Sequence, residues 1–150
     1  LFAMNFPKRD YSESRGGDLY RRGVYTEWQR TFLHPALLNF DAPTREECAV
    51  NRTNSNTPLQ ALDLLNDPIF VEASEAFADR ILREAPADDG ARIAYAFAVS
   101  LSRAPTEAEQ LHFLEFIAAS RVSTGTTDPR RVWTSVATVL LNLDETLVRP

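Results

Sequence analysis

The sequence predicts an all-α fold, an irregular bundle of five or six helices after a loop-rich N-terminal portion. From residue 57 onward, segments with an apolar residue at every third or fourth position follow one another, which is the spacing of amphipathic helices. Several of these segments open with a capping residue and a proline, a typical helix start. The connections are about 2–8 residues long, so neighbouring helices should pack antiparallel.

The composition indicates a globular chain and excludes several classes of protein. The 150 residues suit one domain and can bury a core without disulfides or metals. The formal net charge of −5 argues against a general nucleic-acid binder. A single cysteine, Cys48, excludes an internal disulfide and a multi-cysteine zinc site. No apolar run is long enough to span a membrane.

The N-terminal portion is predicted to be a linker or loop over residues 1–18, followed by a helical domain over residues 19–150. Gly16-Gly17 marks the boundary. The next segment is predicted to be helical up to Pro35, since a residue that precedes proline avoids the α region. Gly23 and the alternation of Val24, Thr26 and Trp28 leave a strand as the alternative for this segment. The helical stripe consists of Tyr20, Val24, Trp28 and Phe32.

Residues 34–57 show no clear period. Thr44 and Glu47 have capping-box spacing, which predicts a short helix that starts near Thr44. The stretch from Asn51 to Asn56 is polar and typical of turns, because asparagine side chains bond to nearby backbone.

Five helices are predicted after this segment, and the first two start in the same way, with a capping residue followed by proline. Thr57 and Pro58 open the helix PLQALDLLN, and Asn66-Asp67-Pro68 ends it and opens the next, which runs through Arg83. The first helix has Leu59, Leu62 and Leu65 on one face, and the second has a stripe of Phe70, Ala73, Phe77 and Ile81.

The remaining three helices start near Asp89, Thr106 and Pro129. The first runs to Ser102, and Thr106 with Glu109 predicts a capping box for the second. A loop around Gly125 precedes the last. The first of them is predicted to have Ile93, Phe97 and Leu101 inward. The second has Leu111, Leu114 and Ala118 on one side, with Phe113 and Ile117 beside them. In the last, the residues predicted to face the core are Val132, Val136, Val139, Leu140, Leu143 and Leu147.

The polar segment Asn51–Gln60 is the best candidate for a binding site. A helix N-terminus carries unpaired N–H groups and a positive dipole end, so it can hold an anion. The alternative is that these side chains satisfy loop backbone and cap the helix. The candidate ligand-binding residues are Arg52, Asn54, Asn56 and Gln60, with Asp41 and Arg45 nearby.

Other reactive side chains do not form a recognisable catalytic or metal site. The two histidines, His34 and His112, are too few for a zinc or iron site, and no haem-attachment motif occurs, so we expect no metal and no cofactor in this segment. Cys48 with His34 and Asp41 has the residue types of a nucleophile, base and orienter, but free cysteine is usually a small buried residue. Adjacent carboxylates suit helix starts better than acid–base catalysis.

The segment from Arg21 to Phe32 mixes arginine with tyrosine and tryptophan, which is the composition of interface hot spots. Its aromatic residues are equally compatible with a core that has arginines at its solvated edge. The chain begins at Leu1 and not at an initiator methionine, so we interpret it as a fragment or a processed piece of a longer chain. An exposed apolar face in the folded domain would then indicate a surface that a missing part covers.

Four segments together resemble a known family. They are RRGVYTEWQRT, the run from His34 to Ser74, LSRAPTEAE and WTSVATVLLNLDETL, and the most specific part lies between Phe40 and Pro68. The chain resembles the planctomycete-specific domain of unknown function called the PSD-one family over about residues 19–148. Gly23 and Thr146 depart from the family's pattern. The resemblance implies that this chain is the C-terminal fragment of a larger exported protein that carries a cytochrome c module. It implies no established reaction.

These observations lead to two functional hypotheses. The first is a non-catalytic packing or interaction domain of a larger exported protein, whose partners are neighbouring domains, with a haem-bearing module as one candidate. The alternative is a ligand-binding or catalytic domain that acts on a polysaccharide or an anionic substrate through the Asn51–Gln60 loop. The exported location, in the periplasm, cell envelope or outside the cell, follows from the resemblance alone.

Overall fold

The computed structural model describes residues 14–26, 33–44, 46–51, 54–125 and 128–148. It is 70% helical, and among these residues there are α-helices and short 3₁₀ helices but no strand. The predicted all-α class is confirmed.

The chain divides into two compact units, Leu1–Ser55 and Asn56–Pro150. In the described part of the first unit, two 3₁₀ helices, Gly16–Tyr20 and Gly23–Tyr25, precede helix α1, Pro35–Asn39. The second unit contains the longer helices. They are α2 (Pro58–Asn66), α3 (Pro68–Glu84), α4 (Asp89–Leu101), α5 (Glu107–Thr124), α6 (Pro129–Leu141) and α7 (Asp144–Leu147).

The continuous helix predicted from Tyr20 is wrong for the residues that the structure describes. The backbone is extended at Arg21 (φ −73°, ψ 145°) and again at Thr26, so each 3₁₀ helix ends after one turn or slightly more. Gly23 explains part of this, because glycine weakens a helix and its backbone lies against Leu37. A Cβ at position 23 would lie 2.8 Å from Leu37 Cδ2. Residues 27–32, with the rest of the predicted stripe, lie outside the described residues.

His34 has a non-helical backbone (φ −58°, ψ 129°), as expected of the residue before a proline, and Pro35 is the first residue of α1, a helix that the sequence did not predict. Proline suits that position because its missing N–H would be unpaired there anyway. The helix predicted near Thr44 does not occur over residues 46–51. The Thr44 hydroxyl accepts from the Glu46 backbone N–H at 3.5 Å, so the threonine closes a local turn instead.

The helix starts in the second unit agree with the predicted signals. A side chain caps each of the helices α2 to α6 by accepting from a backbone N–H in the first turn. Thr57 and Thr106 each form a complete capping box with the residue three positions later. These caps satisfy N–H groups that a helix leaves unpaired at its N-terminus.

The core of the second unit lies between α3 and α6, which make the most extensive helix–helix contact, and α4 and α5 complete it. Phe97 and Phe113 meet edge to face with ring centroids 5.3 Å apart. The predicted inward positions Ile93 and Phe97 are buried, and Leu101 packs against the core. The buried side chains are Ala78, Ile81, Ile93, Ala96, Phe97, Ile117, Val132, Trp133, Val136, Ala137 and Leu140.

The last predicted helix is interrupted. α6 ends at Leu141, and α7 begins at Asp144 after the extended residue Leu143. The Asn142 side chain donates to the Thr138 carbonyl at 2.8 Å and helps to close the end of α6. Two residues predicted to face the core are exposed, Val139 and Leu147, while Trp133 and Ala137 are fully buried. At 100° per residue, position 137 lies closer to the centre of the buried face than position 139.

Candidate functional site

Gln60, a candidate ligand-binding residue, is almost completely buried and takes part in the capping of α2. Its Oε1 accepts from the Thr57 backbone N–H at 3.0 Å. Its own backbone N–H donates to Thr57 Oγ1 at 3.2 Å. The two residues therefore occupy two N–H groups that an anion at this helix end would use. The spacing Thr-x-x-Gln is the sequence pattern of a capping box, so this contact can be predicted from the sequence.

Asp41 adopts the left-handed conformation, with φ of 56°. Its Oδ2 accepts from both the backbone N–H and the hydroxyl of Ser55, each at 2.7 Å. The carboxylate thus connects the end of α1 to Ser55 of the polar segment, which is the last residue of the first unit. Aspartate is among the residues that tolerate this backbone conformation. No sequence pattern links positions that lie 14 residues apart.

The remaining candidates are distributed over different surroundings. Asn56 is exposed, and its Nδ2 donates to Asp144 Oδ1 at 3.2 Å, which ties the start of the second unit to the first turn of α7. Asn54 is exposed. Arg45 and Arg52 lie outside the described residues. The structure therefore engages Asp41, Asn56 and Gln60 in three separate contacts, and their role as ligand-binding residues stays a prediction.

The structure describes the histidines, Cys48 and the acidic pairs that are candidates for catalysis or metal binding. Cys48 is exposed, and His112 lies on the exposed side of α5. Among the described residues, no group of three histidine, cysteine or acidic side chains has the geometry of a metal site. Of the acidic pairs, Asp88 caps α4 and Asp89 pairs with Arg121 at 2.9 Å. Asp88 therefore stabilises the start of α4, and Asp89 contributes to the contact between α4 and α5.

The strongest charge cluster is centred on Arg103, which follows α4. Its guanidinium forms paired hydrogen bonds with Glu109 of α5, at 2.9 and 2.7 Å, and with Glu145 of α7, both at 2.7 Å. It also lies over the ring of Phe97, 5.3 Å from the centroid. The Arg103 guanidinium, helped by the backbone N–H of Thr106, lowers the pKa of Glu109 to about 2. The same guanidinium lowers the pKa of Glu145. The cluster links three helices.

A row of exposed leucines on α2 is the most distinctive surface of the second unit. Leu59, Leu62 and Leu65 are 50%, 56% and 53% exposed, whereas Leu64 of the same helix is 4% exposed. Ile69, in the first turn of α3, is 51% exposed. We call Leu59, Leu62, Leu65 and Ile69 the leucine face. The leucines share one face, as the sequence indicates, but the buried side of the helix is the one that carries Gln60 and Leu64.

The described part of the arginine- and aromatic-rich segment also lies at the surface. Tyr20, Val24 and Tyr25 are largely exposed. Arg21 pairs with Asp18 at 2.6 Å and lies over the ring of Tyr25, 6.0 Å from the centroid. Of the two readings of this segment, an interaction surface fits these residues better than a core. Trp28 and Phe32 lie outside the described residues.

Comparison with known protein families gives a match over most of the chain. The family model PSD1, described as a protein of unknown function (DUF1553), matches residues 2–117, more than half of the chain. The chain belongs to the PSD1 family. No curated protein and no solved structure matches it significantly.

The PSD1 match contains the polar loop, α2 and the whole leucine face. It ends within α5, at the residue Ile117, which is buried in the core. α6 and α7 follow the match, yet α6 supplies Trp133, Val136 and Leu140 to the core. The second unit thus completes the PSD1 core with a helix beyond the matched range. Among the described residues, no helix of this PSD1 chain is long and apolar enough to cross a membrane.

Proposed function

We propose that this chain is a non-catalytic packing and interaction domain of a larger exported, cytochrome-c-associated protein of planctomycete type. The interaction role is supported by the leucine face. The exported and haem-associated setting is supported only by the family resemblance. The partner in this proposal is a neighbouring domain of the same parent protein.

The observation that carries the proposal is the exposure of one complete side of α2. Surface helices of globular proteins usually turn one apolar stripe to the core and polar side chains to water. α2 has one apolar residue, Leu64, on its buried side and three leucines on the opposite side. Contiguous apolar surface of this kind marks an interaction site on a folded protein. A covering domain would remove these leucines from water.

The alternative, a ligand-binding or catalytic site in the Asn51–Gln60 loop, has less support. An anion at the start of α2 would compete with the Thr57–Gln60 capping box for the same N–H groups. Asn56 and Asp41 are hydrogen-bonded to Asp144 and Ser55. These contacts fit a structural role of the loop better than a role in ligand binding.

The test is side-chain footprinting of the leucine face in two settings. Radical or carbene labelling of the 150-residue chain should modify Leu62 and Leu111 to similar extents, because both are 56% exposed. In the longer parent protein, labelling of Leu62 should fall several-fold relative to Leu111 on α5. An unchanged ratio of the two labels would refute an interaction through this face. Fractionation of the source cells tests the exported location separately.

A further inference from the structure

We propose that α7 detaches from the second unit as a separate element, and that its position controls the order at the start of α2, the helix that carries the leucine face. This inference rests on the proposed interaction function and specifies how that surface is regulated. Its starting point is the small size of α7, which has four residues, Asp144–Leu147. A single helical turn is unstable by itself in water, so α7 depends on its contacts with the rest of the unit.

Polar side chains hold α7 on the helices beside it. Glu145 forms paired hydrogen bonds with the guanidinium of Arg103, both at 2.7 Å. The Thr146 hydroxyl donates to the backbone carbonyl of Leu140 in α6 at 2.7 Å. None of the four residues of α7 is buried, so its movement takes no core side chain of its own into water. These polar contacts can therefore break without the loss of the hydrophobic core.

Detachment of α7 leaves no unpaired charge on the remaining helices. Arg103 keeps its two hydrogen bonds to Glu109, at 2.9 and 2.7 Å, and its position over the ring of Phe97. The Glu145 side chain is already 41% exposed, so water can replace the lost guanidinium. A buried charge without a partner would oppose the movement strongly. The attached and detached states of α7 thus differ by a small free energy, as a two-state regulatory element requires.

A further contact connects α7 to the start of α2. The Asn56 side chain donates to Asp144 Oδ1 at 3.2 Å. Asn56 directly precedes Thr57, the residue that caps α2 together with Gln60. When α7 detaches, Asn56 loses this contact, and the capped first turn of α2 becomes less ordered. A surface that is ordered beforehand binds its partner more tightly, because less conformational entropy is lost on binding. Attached α7 therefore favours the interaction through the leucine face.

Amide hydrogen exchange of the 150-residue chain, measured by NMR, tests the inference because it detects local opening at single residues. For α7 the reporters are the Thr146 and Val148 amides, which donate to the carbonyls of the residues three and four positions earlier. For the start of α2 they are the Thr57 and Gln60 amides of the capping box. The amide of Val136, inside α6, reports unfolding of the whole unit. The α7 amides should exchange faster than Val136 and depend little on low urea concentrations, since local opening exposes little surface.

Two variants separate the two contacts of α7. Glu145→Gln removes the charge that pairs with Arg103, and it should speed exchange in α7 and at the start of α2 about threefold to fivefold, as for a partly exposed ion pair. Asn56→Ala removes the link to α2. In the Asn56→Ala background, Glu145→Gln should still speed exchange in α7 but should no longer change exchange of Thr57 and Gln60.

A matched control and a change of salt check the cause. Arg121→Gln breaks another exposed ion pair, the one with Asp89 at 2.9 Å, and should leave exchange in α7 and at the start of α2 unchanged. At about 1 M salt, where the Debye length is about 3 Å, the wild-type rates should approach those of Glu145→Gln. The rate of Val136 should stay the same in Arg121→Gln and Glu145→Gln if only local opening is affected.

Three results would overturn the inference. Exchange of the α7 amides at the rate of Val136 would show that α7 leaves only when the whole unit unfolds. Unchanged exchange in α7 of Glu145→Gln would show that this ion pair does not hold it. Faster exchange in α7 without any change at Thr57 and Gln60 would remove the control over α2. Footprinting of Leu62 in the parent protein is a separate measurement, so a failure of the proposed interaction function can be told apart from a failure of this inference.

Discussion

The leucines of α2 allow a direct test of which side of the helix stabilises the fold. Leu64→Ala and Leu62→Ala remove the same atoms, two residues apart, and give the helix the same gain in intrinsic propensity. Leu64 is 4% exposed and Leu62 is 56% exposed. Burial therefore accounts for the difference between the two variants.

The expected magnitudes differ severalfold. Truncation of a buried leucine to alanine costs about 2–5 kcal/mol, because transfer energy is lost and a cavity remains. Truncation of Leu62 should change the free energy of unfolding by only about 0.5 kcal/mol or less, as for most surface substitutions. Better helix propensity of alanine offsets part of that small loss.

The assay is urea unfolding of wild type and both variants, followed by far-ultraviolet circular dichroism. The midpoint should fall clearly for Leu64→Ala and hardly at all for Leu62→Ala, with equal dependence on denaturant in the three proteins. Amide hydrogen exchange in α2 checks whether the helix opens locally before the unit unfolds. Comparable destabilisation by the two variants would show that the leucine face is buried in the folded chain. An interaction through these leucines would then have no exposed surface to depend on.

Three further predictions concern the second unit. The pKa of Glu109 is about 2 in the folded chain and ordinarily 4.5. Between these pH values the unfolded chain binds more protons than the folded chain. The stability that Glu109 contributes is therefore present above about pH 4.5 and is lost as the pH falls toward 2. Melting curves should show this loss in wild type and a flatter profile in Glu109→Gln. Phe97→Ala, at a fully buried ring, should lower the free energy of unfolding by about 3–5 kcal/mol in urea titrations, and an effect below about 1 kcal/mol would contradict its central position. Ser102→Gly should raise the free energy of unfolding by about 1 kcal/mol, because Ser102 ends α4 in the left-handed conformation, with φ of 60°. Ser100→Gly, inside the same helix, should lower the free energy of unfolding.

The candidate site shows where sequence reasoning was incomplete. Gln60 is a predicted ligand-binding residue, with helix capping as the alternative. The pattern Thr57-x-x-Gln60 is itself a capping signal, and in the structure the two residues form a capping box. The contacts of Asp41 with Ser55 and of Asn56 with Asp144 have no such signal. Asn56 and Asp144 lie 88 residues apart, and only the folded chain brings them together.

The sequence by itself determined the helical class, the starts of the longer helices and the family resemblance. Caps and N-terminal prolines act within three or four residues, so their consequences can be read from a short window. Only the tertiary structure decided which side of α2 is buried and where α6 stops. A helix with leucine on both sides gives no periodic signal for its inner face, because the outcome depends on which neighbours cover it. In α2 the side of Gln60 and Leu64 is buried, and Leu59, Leu62 and Leu65 are left in water.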